Sequence, residues 1–152
     1  MALTKPEFEA ILSNSTKTIV GDITWSEDED HSPSVEFRAE VESDVGWPLF
    51  IKGSYNRLIG ALTFAVISKT EGRIYALDLG KDHRNPDTGQ LIGEKHKHAW
   101  TEEYRDKVAY VPPDITEPAT NPRAVWTQFC QEAKIRHRGQ LQPVPALQSE
   151  LF

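Results

Sequence analysis

The chain has 152 residues, of which 38% are hydrophobic and 26% charged, a composition typical of one globular domain long enough to bury a core. Its formal net charge of -6 argues against nonspecific nucleic-acid binding, which usually depends on a basic face. No apolar run approaches the length of a membrane span, and the first residues lack the apolar stretch of a signal peptide. A single cysteine, Cys130, excludes an internal disulfide framework. We therefore predict a cytoplasmic protein with no membrane association.

Two helices are predicted, one near each end of the chain. Thr4-Lys5-Pro6-Glu7 has the form of a capping box, and Phe8, Ile11 and Leu12 follow it at helical spacing. Asn121-Pro122 supplies the N-cap and first-position residues that are typical of a second helix.

Between the helices, hydrophobic and polar residues alternate as they do in strands. Residues 34–42 alternate strictly, which is the pattern of a half-buried antiparallel strand. Further strands are predicted over residues 19–25, 49–54, 61–68, 73–79, 90–100 and 108–111. The short links imply a meander. We predict an α+β fold, with an antiparallel sheet of about six strands, a short N-terminal helix and a C-terminal helix packed on the sheet. The predicted domain spans residues 1–138, and residues 139–152 form a flexible or partner-docked tail.

Three of the five histidines, His83, His96 and His98, fall within sixteen residues. The run Asn85-Pro86-Asp87-Thr88-Gly89 favours a turn, because each of its residue types suits one for its own reason. His83 lies across this turn and can return to meet the other two histidines. Histidine is suited both to proton transfer near neutral pH and to metal binding.

The two faces of the strand predicted over residues 90–100 separate these side chains. If residues 94–100 are extended, His96, His98 and Trp100 project from one face, and Lys97 projects from the other. Asp78 interrupts an apolar strand just before the histidine turn, where it either orients a histidine or caps the turn. The sequence does not separate these two roles.

Acid–base catalysis is the leading interpretation of the histidine segment. One histidine removes a proton from an attacking hydroxyl, another protonates the leaving group, and cationic side chains stabilise a phosphate. This arrangement suits a metal-independent ribonuclease or phosphodiesterase without a cofactor. The predicted catalytic residues are His83, His96, His98, Arg84 and Glu102. The predicted substrate-binding residues are Asn85, Lys97, Trp100, Asp106 and Lys107.

Two alternatives stay open at this point. In the first, His83, His96 and His98, with Glu102, bind a divalent metal in an enzyme. The spacing H-x-H-x-x-x-E matches part of the cupin metal motif, although the cupin glycine pattern and second motif are missing. In the second, the chain is a noncatalytic binding or antitoxin-like module, in which the acidic loop 27–30 and the tail hold a protein partner.

The same residues resemble an uncharacterised bacterial family. Its members have an R/Y-x-L-D strand, then H-R-N-P-D-G, H-x-H and D-K-W-A, and residues 72–135 follow this order. The chain departs from the pattern at Val108, where the family usually has tryptophan. More distantly, the aspartate strand, the histidine turn and His96-Lys97-His98 resemble TumE-type toxins of bacterial toxin–antitoxin systems. That resemblance implies a small toxin acting on RNA, with an antitoxin as its protein partner.

Overall fold

The computed structural model describes residues 3–147. Helix α1 spans Lys5–Ser13 and helix α2 spans Pro122–Ala133. Both predicted helix starts are confirmed. The Thr4 hydroxyl accepts from the Glu7 backbone while the Glu7 side chain accepts from the Thr4 backbone, and Asn121 accepts from the first turn of α2. Within the described residues, neither helix is long and apolar enough to cross a membrane.

Outside the helices, residues 3–147 also contain eleven strands and one 3-10 turn, Glu29–His31. The strands are β1 (Thr18–Val20), β2 (Ser26–Glu27), β3 (Ser34–Val41), β4 (Leu49–Asn56), β5 (Ala61–Ser68), β6 (Gly72–Leu79), β7 (His83–Arg84), β8 (Leu91–Ile92), β9 (Lys95–Thr101), β10 (Arg105–Tyr110) and β11 (Arg136–Arg138).

Seven strands form one antiparallel sheet in the order β10-β9-β6-β5-β4-β3-β2. Neighbours in the sheet follow one another along the chain, except that the β7–β8 hairpin is inserted between β6 and β9. The predicted α+β meander with two helices is therefore confirmed. The strand predicted over residues 90–100 is divided, because the chain leaves the strand conformation at Gly93 and Glu94.

The hydrophobic core lies between one face of the sheet and the two helices. The Phe64 and Trp126 rings meet at 5.1 Å between centroids, and the Tyr75 and Phe129 rings stack at 5.8 Å. Because side chains alternate along a strand, the polar residues next to Phe64 and Leu77 point to the opposite, outer face. The candidate site lies on that outer face.

The segment predicted as a tail begins inside the folded body. Strand β11 pairs in parallel with β1, and Ile23 and Leu141 form an isolated bridge just beyond this pair. The Trp25 indole donates to the Gln142 carbonyl at 3.1 Å, and Leu141 is only 3% exposed. Residues 139–142 therefore pack against the same chain, whereas the last five residues of the predicted tail lie outside the described part.

Candidate metal centre

Strand pairing brings an aspartate and two histidines together on the outer face. In the β6–β9 ladder, Asp78 lies opposite His96, and Ala76 lies opposite His98. His96 is 1% exposed, His98 3% and Asp78 8%. Three ionisable side chains are thus removed from water at one point of the sheet, which is costly unless they are paired or bind a metal.

The Asp78 carboxylate is fully engaged by its neighbours. Thr63, its partner in β5, donates to Oδ1 at 2.5 Å. His98 Nε2 lies 3.0 Å from Oδ2, and His96 Nε2 lies 3.3 Å from the same oxygen. Burial raises the pKa of Asp78, but the hydrogen bonds from His96, His98 and Thr63 outweigh burial and hold that pKa well below its usual range. The carboxylate is therefore charged at neutral pH.

Backbone carbonyls fix the orientation of both histidine rings. His96 Nδ1 lies 2.9 Å from the Gly93 oxygen, and His98 Nδ1 lies 3.0 Å from the Asp106 oxygen. A carbonyl only accepts, so each Nδ1 carries a hydrogen and donates it. The Nε2 atoms of both rings are left facing Asp78. Burial lowers the pKa of His96, but the Asp78 carboxylate and the Gly93 carbonyl outweigh burial and raise it overall.

A β-bulge in β10 supplies the carbonyls on that side of the site. Arg105 pairs with Thr101 and Val108 with Ala99, so the two residues between them oppose a single residue of β9. Arg105 itself has a positive φ of 56°. A bulge takes backbone groups out of the ladder and redirects them. Here, the freed Asp106 and Lys107 carbonyls accept from two histidine rings.

The second of these rings is His83, which completes a cluster of three histidines. Its Nε2 lies 2.5 Å from the Lys107 oxygen. Its ring centroid lies 4.6 Å from that of His98 and 5.5 Å from that of His96, and the His96 and His98 centroids are 4.8 Å apart. His83 is more exposed than the other two. Burial nevertheless lowers its pKa, more than the Lys107 carbonyl raises it.

Asn85 holds the histidine turn against the sheet. Its side-chain amide donates to the Ala109 carbonyl at 2.8 Å, and its side-chain oxygen accepts from the Ala109 N–H at 2.7 Å. The residue is 6% exposed. Asn85 was predicted to bind substrate, but the structure uses its amide as a clamp between the turn and β10, because both polar atoms are already occupied.

Three more predicted residues lie around the cluster without joining it. Arg84 donates to the Gly89 carbonyl at 2.6 Å, within its own hairpin. The Asp106 carboxylate accepts from Arg73 Nε at 2.5 Å, so only its carbonyl faces the cluster. The Lys107 side chain is 65% exposed, with its ammonium 4.0 Å from Asp106.

Lys97, Trp100 and Glu102 lie apart from the histidines. Lys97 projects to the core face, is fully buried, and pairs with Asp114 at 2.7 Å. Trp100 is 1% exposed, and its indole donates to the Leu3 carbonyl at 2.8 Å, so it offers no open face for stacking. Glu102 accepts from the backbone at the start of α1. Their burial argues against the phosphate-binding role predicted for Lys97 and the stacking role predicted for Trp100.

Sequence reasoning missed one member of the site and left another unassigned. Thr63 lies in the strand predicted over residues 61–68 but was not assigned to the site, and Asp78 was left between two roles. Both stand out by the same signal, a polar residue at an outer-face position of an otherwise apolar strand. The structure gives Asp78 the histidine-orienting role.

A groove of about 710 Å³ lies elsewhere, beside α2. It is lined by α2 side chains such as Trp126 and Cys130 and by residues 135–141. None of the predicted site residues lines this groove.

A family model matches residues 3–135, a span that holds every side chain of the cluster. The chain belongs to DUF6978, a family of unknown function. Comparisons with the curated proteins and with the solved structures find no match. Membership of DUF6978 confirms the expectation of an uncharacterised family.

Replacing Asn85 with alanine in this DUF6978 chain is expected to loosen the 83–92 hairpin and to lower the free energy of unfolding by about 1–2 kcal/mol, because two buried hydrogen bonds are lost. Urea denaturation measures the second effect, and amide hydrogen exchange over residues 83–92 measures the first. Gln90→Ala, at an exposed position of the same hairpin, is the matched control and should change neither. Equal results for both variants would contradict the clamp.

Proposed function

We propose that the protein binds a divalent transition metal through Asp78 Oδ2, His96 Nε2 and His98 Nε2. The observation that carries this proposal is the convergence of two imidazole nitrogens on one carboxylate oxygen, at 3.0 and 3.3 Å. Ligand atoms about 2.1 Å from a shared metal lie about 3.0 Å apart at 90° and about 3.4 Å apart at tetrahedral angles. The two contacts to Oδ2 thus already have the spacing of neighbouring ligands in a coordination sphere.

The surroundings of the ligands support the same interpretation. Metal-binding histidines usually donate their other ring N–H to a carbonyl or carboxylate, which fixes the tautomer and aims the free nitrogen at the metal. His96 and His98 both do this, toward Gly93 and Asp106. Thr63 fixes the remaining oxygen of Asp78 in the same way. The three ligand atoms lie within 4.8 Å of one another.

The donor set favours a metal of the zinc class. Two imidazole nitrogens and one carboxylate oxygen suit Zn²⁺, Fe²⁺, Co²⁺ or Ni²⁺ better than Mg²⁺ or Ca²⁺, which prefer oxygen ligands. Zn²⁺ is therefore the first probe, and Mg²⁺ is expected to bind poorly.

The test is zinc binding by the full chain after removal of metals with a chelator. We expect one Zn²⁺ per chain by elemental analysis and calorimetry. Asp78→Asn and His98→Ala are each expected to lower the affinity at least about 100-fold, because each removes a ligand or its charge. His31→Ala is the control, since His31 is exposed and pairs only with Asp28 among the described residues. A wild-type chain that binds zinc no better than Asp78→Asn overturns the proposal.

The metal-independent ribonuclease stays a prediction, as do the TumE-type toxin resemblance, the antitoxin partner and the cytoplasmic location. Two of the cations proposed to bind phosphate are engaged elsewhere, Lys97 on the core face and Arg84 within its hairpin. This leaves the metal centre better supported than acid–base catalysis. RNA cleavage that persists in excess chelator and is lost in a His96/His98 double alanine variant would reverse that preference.

A further inference from the structure

The 83–92 hairpin has little of its own to hold it in place. Its ladder has two residue pairs, His83–Ile92 and Arg84–Leu91, and one further backbone hydrogen bond from Asn85 to Gln90. Ile92 is buried, but Leu91 is 54% exposed. A two-stranded hairpin is at best marginally stable alone, so this one depends on what attaches it to the sheet. Asn85 attaches the hairpin to β10 through the Ala109 carbonyl, and His83 attaches it at the histidine cluster, where its ring lies against that of His98.

The centroids of the three rings lie close to the separations expected of histidines that bind one metal. Imidazole rings bound to a common metal about 2.05 Å from each nitrogen have centroids about 4.5 to 5.2 Å apart, for angles between 90° and tetrahedral. The observed separations are 4.6 Å for His83–His98, 4.8 Å for His96–His98 and 5.5 Å for His83–His96. Two fall within the range, and the third, which joins His83 to His96, exceeds it slightly. The ligand atoms of Asp78, His96 and His98 already lie within 4.8 Å of one another, and His83 has to move closer to join them.

The two ring nitrogens have the same division of roles in all three histidines. Each ring gives one N–H to a backbone carbonyl, that of Gly93, Asp106 or Lys107. The other nitrogen of each ring can serve as a metal ligand: Nδ1 in His83, and Nε2 in His96 and His98 once the metal displaces the proton directed at Asp78. Carbonyl-bound ring N–H groups are a regular feature of metal-binding histidines.

We propose that His83 Nδ1 is the fourth ligand of the metal, and that the resulting closed four-coordinate centre fastens the 83–92 hairpin to the sheet. This inference rests on the proposed metal centre of Asp78, His96 and His98. Structural zinc sites have four protein ligands, whereas catalytic sites keep a position open for water or substrate. The metal of this protein is therefore structural, and the 83–92 hairpin is the part of the fold that it organises.

Cobalt binding by the full chain tests this assignment. Four-coordinate Co²⁺ absorbs visible light strongly, and coordination of additional water weakens those bands. We expect strong bands in the wild type. In His83→Ala, we expect one Co²⁺ per chain bound about 10- to 100-fold more weakly, with weaker bands that recover when free imidazole is added. His31→Ala is the control and should match the wild type.

Amide hydrogen exchange of residues 83–92 provides the second measurement. Zn²⁺ is expected to slow exchange in this segment of the wild type and to have no such effect in His83→Ala. Unchanged bands and undiminished zinc protection in His83→Ala would overturn the inference while leaving the metal centre intact. A wild-type chain that binds no Co²⁺ or Zn²⁺ would overturn both, and the stoichiometry distinguishes the two failures.

Discussion

Neutralising both carboxylates beside Lys97 is expected to lower the free energy of unfolding by about 3–5 kcal/mol, which is the usual cost of leaving a buried charge without a partner. The Lys97 ammonium is fully buried and pairs with Asp114 at 2.7 Å and with Glu132. It also lies 5.5 Å from the Tyr75 ring centroid and 6.0 Å from that of Phe129. The double variant Asp114→Asn/Glu132→Gln keeps the shapes but removes both negative charges.

The matched comparison is Lys97→Met, which removes the buried charge itself at similar volume. The two carboxylate side chains are 27% and 32% exposed, so water can solvate them once the ammonium has gone. We expect this variant to lose less than about 1.5 kcal/mol. Urea denaturation measures all variants, with Glu40→Gln at an exposed ion pair as a control that changes little. A larger loss in Lys97→Met than in the double variant would contradict this account.

Zinc is expected to stabilise the protein strongly at pH 8 and only weakly at pH 5.5. At a free concentration about 1,000 times its Kd, a ligand that binds only the folded state adds about 4 kcal/mol. Zinc must displace the protons on the histidine nitrogens, so its contribution grows as the pH rises. Urea denaturation with and without Zn²⁺ at several pH values measures the difference.

In the metal-free protein, the contact between His96 and Asp78 should respond to pH in the opposite direction. The pKa of His96 is raised above its ordinary value of 6.5, so the stability from its contact with Asp78 is present below pH 6.5 and is lost as the pH rises through the raised pKa. The pKa of Asp78 is lowered, so its contribution is lost only in acid well below that window. Asp78→Asn should abolish the effect of zinc. A zinc contribution that is independent of pH would count against histidine ligands.

Much of the fold was predictable because its signals are local. Strict alternation over residues 34–42 and short links between strands identified the meander, and cap residues identified both helices. The parallel pair of β1 and β11 was not predictable. Three-residue strands carry no periodic signal, and this pair joins segments more than a hundred residues apart.

The site was predictable in its histidines but not in what surrounds them. The prediction of a turn followed by a strand correctly placed His83, His96 and His98 close together. The carbonyls that orient the rings come from a bulge and from Gly93, and backbone groups leave no mark in a sequence. Lys97 shows a different limit. Its charge suggested phosphate binding, yet alternation had already placed it on the other face, and alternation proved the stronger rule.

Strand β9 carries polar residues on both faces: His96 and His98 point to the outer face, and Lys97, between them, points to the core face. This alternation disfavours incorrect strand alignment during folding. A slip of one residue would drive His96 and His98 into the apolar core and turn the Lys97 ammonium away from its carboxylates. A slip of two would restore the faces but separate His96 from Asp78. A sheet misaligned by one residue would therefore lose stability both at the histidine cluster and at the Lys97 ion pairs. For the same reason, we expect β9 to tolerate point substitutions far better than the insertion or deletion of a single residue.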